Sequence, residues 1–171
     1  NIAPGTVAVL EDEERQPLAL VGVNPNSRIF ARVLDRADAG APDTAWFAER
    51  IGKALGLRER LFDAPFYRLI HAEADGLPGV VIDRFGDTCV VQPNAAWAEV
   101  LLDEMVAALV EVTGCANVLK SASGRARGLE GLDDQDAVLT GAAPETPVAV
   151  PMNGATYMAD LTGGQKTGLF Y

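Results

Sequence analysis

His71 is the sole histidine of the chain, and three carboxylates stand near it in sequence: Glu73, Asp75 and Asp83. One histidine excludes a two-histidine metal site and would have to be the base of any serine triad. An acid–base pair could be drawn from the three acids, but each lies next to a turn, where aspartate is expected for local hydrogen bonding. Gly164-Gln165-Lys166-Thr167 invites comparison with a phosphate-binding loop. That loop needs Gly-Lys-Ser/Thr in direct succession, and Gln165 interrupts it. Gly124, Gly128 and Gly131 lack the spacing of a dinucleotide fingerprint. Cys89 and Cys115 have no metal-ligand spacing and read as small buried hydrophobes of a reducing compartment. Taken alone, these residues make no complete active site.

Charge narrows the partners. The net charge is −10 over 171 residues, and an acidic surface repels phosphate over about one Debye length, so nonspecific nucleic-acid binding is disfavoured. Basic residues nevertheless gather at Arg28, Arg32 and Arg36 and again at Lys120, Arg125 and Arg127, which allows a local basic face. With 49% hydrophobic and 22% charged residues the composition is that of a globular protein, and no window is long and apolar enough for a membrane helix.

The elements that must position these residues are short. Runs at 6–10, 18–23 and 28–34, separated by Glu11-Asp12-Glu13-Glu14 and Asn24-Pro25-Asn26-Ser27, predict a three-strand meander. Asp43 or Thr44 can cap a connecting helix with Phe47, Ile51, Ala54, Leu55 and Leu61 near one face. Strands resume at Tyr67, with Leu77-Pro78-Gly79-Val80 suited to a type II turn and a second turn at Phe85-Gly86-Asp87. Asn94 is expected to cap one helix carrying Trp97, Leu101, Met105, Leu109 and Val112, ended by Gly114. Strands at 116–120 and 137–141 follow. Val148 to Asp160 reads as a hairpin turning at Asn153-Gly154, a type I′ pair. No βαβ unit is read from the pattern. The fold class is α+β. Gly163 to Tyr171 opens a glycine-rich turn into an apolar run, and the chain reads as cut from something larger.

Tyr67-Arg68-Leu69-Ile70-His71-Ala72-Glu73-Ala74-Asp75-Gly76-Leu77-Pro78-Gly79-Val80-Val81-Ile82-Asp83-Arg84-Phe85-Gly86-Asp87 resembles a signature of the S-adenosylmethionine-dependent methyltransferases that modify C5 of a cytosine in large-subunit ribosomal RNA, the RlmI type. Three shorter matches lie in order along the chain. They are Asn24-Pro25-Asn26-Ser27-Arg28-Ile29-Phe30-Ala31-Arg32, with Val23 in place of an aromatic; Arg127 with Glu130-Gly131-Leu132; and Gly164-Gln165-Lys166-Thr167-Gly168. Where relatives often carry Arg-Ser-Asp, Ser121-Ala122-Ser123 stands here.

The resemblance implies a partial PUA-like RNA-binding β domain over 1–36, a linker with the connecting helix over 37–65, and a central strand-strand-helix-strand-strand domain over 66–162. Residues 163–171, with the interdomain motif Gln165, Lys166 and Thr167, would begin a methyltransferase domain. S-adenosylmethionine is then the cofactor of the parent protein and is not held by this portion. Neither cysteine matches a nucleophile position, so no catalytic residue is expected. Large-subunit ribosomal RNA is the expected partner, met through Arg28, Arg32, Arg125 and Arg127, in a cytoplasmic protein that could be a homodimer and has no membrane partner. Two other readings compete: an oligomerisation or interdomain scaffold without RNA contact, and an independent small-molecule enzyme using His71 and Asp75.

Overall fold

The structure is a computed structural model that describes residues 2–162, so Gln165, Lys166 and Thr167 lie outside the described residues. Strands β1 (Thr6–Glu11), β2 (Pro17–Val23) and β3 (Ala31–Arg36) form the expected antiparallel meander in that order. The third strand starts at Ala31, not at residue 28. Asn24 Oδ1 accepts from the Asn26 amide at 3.0 Å, and the Ser27 hydroxyl accepts from the Ile29 amide at 3.2 Å. Such side-chain-to-backbone bonds compete with ladder pairing, and they close 24–30 into a loop.

Helix α1 (Thr44–Leu61) is capped by Asp43, whose carboxylate accepts the Trp46 amide at 2.8 Å. Phe47, Ile51 and Ala54 are buried as the 3.6-residue period requires. Leu61, expected on that face, is exposed, because the last turn of α1 runs past the packed layer and borders a groove instead.

Five strands build the central sheet: β4 (Phe66–His71), β5 (Val80–Phe85), β6 (Thr88–Pro93), β7 (Asn117–Lys120) and β8 (Ala137–Thr140), hydrogen-bonded in that order. The β6–β7 pair is parallel and the others are antiparallel. Between β4 and β5 the predicted type II turn is present: the Val80 amide donates to the Leu77 carbonyl at 3.0 Å, with Gly79 at φ +77°. A Cβ on Gly79 would also sit 2.8 Å from that of Ala95, so the position needs glycine twice over.

A parallel pair needs a crossover connection, supplied here by α2 (Ala96–Val100) and α3 (Leu102–Thr113). The strand-helix-strand pattern thus contains a βαβ unit that the sequence reading lacked. The single expected helix is divided at Leu101 (φ −103°, ψ 27°), and Asn94 does not cap it: the N-cap position falls to Ala95, while the Asn94 backbone amide donates to the Gly79 carbonyl at 2.9 Å. Gly114 ends α3 in the left-handed conformation as predicted. A further short helix, α4 (Arg125–Glu130), lies between β7 and β8; at six residues it is too short to show a period.

The chain then folds into the hairpin of β9 (Val148–Met152) and β10 (Ala155–Ala159), where Asn153 (φ 54°) and Gly154 (φ 78°) take the left-handed angles of a type I′ turn. The main core lies between one face of the central sheet and α1 with α3, centred on Phe47, Ile51, Leu69, Ile82, Trp97 and Met105. A smaller core of Phe85, Val90, Leu119, Val150 and Leu161 includes the hairpin's Val150. No helix of the described residues is long and apolar enough to cross a membrane.

Candidate functional site

Two of the short segments singled out from the sequence, 24–32 and the one that holds Glu130, meet at one carboxylate. Glu130, the last residue of α4, is buried and accepts from Asn24 Nδ2 at 2.9 Å, the Ser27 hydroxyl at 2.8 Å, Arg32 at 3.3 Å and the Ala96 amide at 3.2 Å. Asn24 Nδ2 also reaches the Glu130 carbonyl at 2.9 Å. Burial pushes the Glu130 carboxyl upward, but the bonds from Asn24, Ser27 and the Ala96 amide, with the charge of Arg32, outweigh it and hold the group below the usual range. This carboxylate therefore latches the meander loop to the central sheet and caps α2. Asn24 lies 106 residues from Glu130, so no spacing rule could have paired them.

Two further contacts seat the meander. Gly22 lies where any Cβ would come within 2.7 Å of the Trp97 side chain. Asp35 on β3 accepts Trp46 Nε1 at 2.8 Å and Arg50 at 2.6 Å, while the Arg50 guanidinium lies 3.6 Å from the centroid of Trp46.

Of the four arginines expected to meet RNA, Arg28 and Arg125 are exposed and pair with no acid among the described residues. Arg32 is largely covered and bridges Glu130 to Glu73. Arg127 is 1% exposed; it donates to the Pro93 carbonyl at 2.5 Å, to Glu99 at 2.8 Å and to the Asp133 carbonyl at 2.8 Å. Its guanidinium therefore faces protein rather than solvent. Lys120 joins the same network through Glu99 at 2.9 Å, which dissolves the second basic cluster. The latch has a positional consequence: Arg28 follows Ser27 directly, and Arg125 opens the helix that Glu130 closes, so the two free arginines sit on segments joined by one carboxylate.

The carboxylates near His71 are committed separately. Asp75 takes a two-pronged bond from Arg58 at 2.6 and 3.2 Å and accepts the His71 amide at 2.7 Å. Asp83 is paired with Arg68 at 2.9 Å, and burial raises its carboxyl above the usual range against the pull of that arginine. Glu73 is exposed beside Arg32. An arginine partner for each acid leaves no free acid–base pair, and no three metal-ligating side chains cluster among the described residues. His71, Arg58, Arg68, Phe62, Phe66 and the turn of the last hairpin border a groove of about 880 Å³. Its aromatic and cationic walls were not read from sequence, because α1, β4 and β9 meet there only in three dimensions.

S-adenosylmethionine can be tested against the βαβ unit. Ligands of such units sit beyond the carboxyl ends of the parallel strands, at the N-terminus of the crossover helix. Here that place is filled by the protein itself, with the Glu130 carboxylate on the Ala96 amide and Arg127 on the Pro93 carbonyl. At this strand end the amide and the carbonyl that a ligand would use are thus already taken by side chains.

No protein-family model matches the chain. It is 37% identical over 156 residues to the ribosomal RNA large subunit methyltransferase I of Aliivibrio fischeri (strain MJ11), and 38% identical over 158 residues to that of Vibrio vulnificus (strain YJ016). Each match covers 90% of this chain. The chain is a relative of the large-subunit ribosomal RNA methyltransferase I proteins. It spans 39% of the length of these two methyltransferase I relatives. Among solved structures, a protein of Streptococcus mutans assigned as a SAM-dependent methyltransferase superposes with TM-score 0.76 at 18% identity, over 92% of this chain and 41% of that one. A methyltransferase structure complexed with SAH gives 0.80 at 19% identity, over 98% and 43%. At these identities the structures establish a shared fold.

Proposed function

We propose that this chain is the RNA-recognition and positioning portion of an S-adenosylmethionine-dependent methyltransferase acting on cytosine C5 of large-subunit ribosomal RNA in the cytoplasm. Residues 1–36 are the PUA-like part, 37–65 the linker, 66–162 the central domain, and 163–171, with Gln165, Lys166 and Thr167, the approach to a methyltransferase domain that holds the cofactor. The observation that carries this reading is that Arg28 and Arg125, exposed and paired with no acid among the described residues, lie on the two segments that Glu130 ties together. Phosphate contacts of this kind position RNA without reading its sequence.

The experiment is fluorescence anisotropy with a short structured fragment of large-subunit ribosomal RNA over a range of salt concentrations. Each phosphate contact contributes roughly 0.7 to the slope of log affinity against log salt. Arg28→Ala with Arg125→Ala should therefore flatten the slope by about 1.4 and weaken unrelated RNA sequences equally. Arg127→Lys, buried in its own network, should leave the slope as it was. The competing scaffold reading draws on Arg32 and Arg127, whose charges are spent inside the protein. It becomes the better account if the double variant binds as tightly, and with the same slope, as the parent.

A further inference from the structure

The two cysteines, expected to be small buried hydrophobes, face each other. Cys89 lies in β6, and Cys115 follows Gly114 at the end of α3; their sulfurs are 2.8 Å apart across 26 residues of sequence. We propose that Cys89 and Cys115 are a redox-active dithiol that closes into an intramolecular disulfide with a small disulfide oxidant such as oxidised glutathione. A disulfide has its sulfurs about 2.05 Å apart, so closure asks for a movement of less than about 1 Å.

The surroundings assign the order of events. Both thiols are buried, Cys89 fully and Cys115 to within 2%, but Cys115 lies in a turn between the exposed Gly114 and Ala116, so opening of that turn uncovers Cys115 first. The hydrogen bond from Cys89, then the Thr113 hydroxyl and the charge of Arg84, hold the Cys115 thiol below its usual range despite burial. The same bond together with burial pushes Cys89 upward. Thiolate is the attacking species in disulfide exchange. The Cys115 thiolate attacks one sulfur of the oxidant, the oxidant's S–S bond breaks, and one glutathione thiolate leaves with the electron pair. Cys89 then gives its proton to that thiolate and attacks Cys115 Sγ, expelling the second glutathione thiolate. Two protein thiols have lost two electrons, and one oxidised glutathione has become two reduced molecules. In a reducing compartment the pair rests as the dithiol and closes under oxidative load.

The test uses the full chain, incubated with oxidised glutathione under native conditions, quenched in acid and alkylated. Intact-mass analysis should show loss of two hydrogens and no alkylated cysteine, reversed by dithiothreitol. The urea midpoint should rise by about 1 M in the oxidised form, because the bridge restricts the unfolded chain. Cys89→Ser should stop at a glutathione adduct on Cys115, while Cys115→Ser should leave Cys89 unmodified; Cys89→Ala and Cys115→Ala repeat the pair if a serine is not tolerated. The proposal is overturned if the native chain keeps both thiols alkylatable under conditions that oxidise the urea-unfolded chain, or if Cys115→Ser and Cys115→Ala modify as readily as the parent.

Discussion

Removing the Glu130 carboxylate should loosen the molecule at the place where its motif residues meet. In Glu130→Ala the Ala96 amide and the Ser27 hydroxyl lose their acceptor, Asn24 keeps the residue-130 carbonyl, and Arg32 is left with the exposed Glu73. An orphaned buried amide costs about 1–3 kcal/mol. The bond from Ser27 and the ion pair with Arg32 add about 1–2 kcal/mol together, since both are partly hydrated and the Arg32 contact is long. The expected loss is about 3–4 kcal/mol, within the range of about 3–5 kcal/mol for breaking a buried pair on one side. With a urea dependence of about 2 kcal/mol/M, the unfolding midpoint should fall by about 1.5–2 M. Glu130→Gln, which keeps an acceptor but not the charge, should lose about half as much, and a cycle with Arg32→Ala should show coupling of about 1 kcal/mol. A midpoint shift of less than about 0.3 M in Glu130→Ala would refute the latch, because no buried charged acceptor could then have been lost.

The acid limb of the stability curve should carry the same signature. Glu130 and Asp133 have carboxyls held below their usual values, so their stabilisation is complete above an unfolded value of about 4 and is lost as the pH falls through the depressed one. Asp83, raised by burial, acts in the opposite sense over its own window; Glu130→Gln should accordingly flatten the acid limb measured by urea midpoints from pH 5 downward. Gly154→Val should cost at least about 1 kcal/mol, because a β-branched residue fits φ near +78° poorly; an unchanged midpoint would remove the type I′ assignment. Gly22→Ala would drive its methyl into Trp97 and should cost about 1–3 kcal/mol as overpacking, with Trp97 fluorescence shifting in the folded state; a silent substitution would mean that the meander is not seated there.

What was legible in the sequence was local. Asn153-Gly154, Pro78-Gly79 and the Asp43 cap each specify backbone angles within four residues, and each is found where the residues predict it. The division of the second helix at Leu101 was not, because Trp97, Met105 and Leu109 keep a helical period across it and all three are buried. Asn94 has the chemistry of a cap, but the helix starts one residue later, with Ala95 at the N-cap, and the capping role passes to Glu130, 34 residues from Ala96. Arg127 looked like a surface charge because nothing in its neighbourhood announces Glu99 and the Pro93 carbonyl as partners. The cysteines have no motif spacing, and it is the pairing of β6 with β7 that brings Cys115, two residues past α3, to Cys89.

A meander of three short strands buries little by itself, and apolar packing alone would leave its rotation on the central sheet weakly specified. Gly22 against Trp97 fixes how close it comes, Asp35 with Trp46 and Arg50 fixes one end, and Glu130 with Asn24 and Ser27 fixes the other. Three attachments spread along the meander restrict its rotation more than any one of them alone. Arg28 follows Ser27 directly and Arg125 lies on the helix that Glu130 closes, so the third attachment holds together the two segments that carry these arginines and lowers the cost of bringing them to one phosphate backbone. An acidic chain has little long-range attraction to draw RNA in, so exposed arginines on two segments held together by the fold are the form in which a few positive charges hold it.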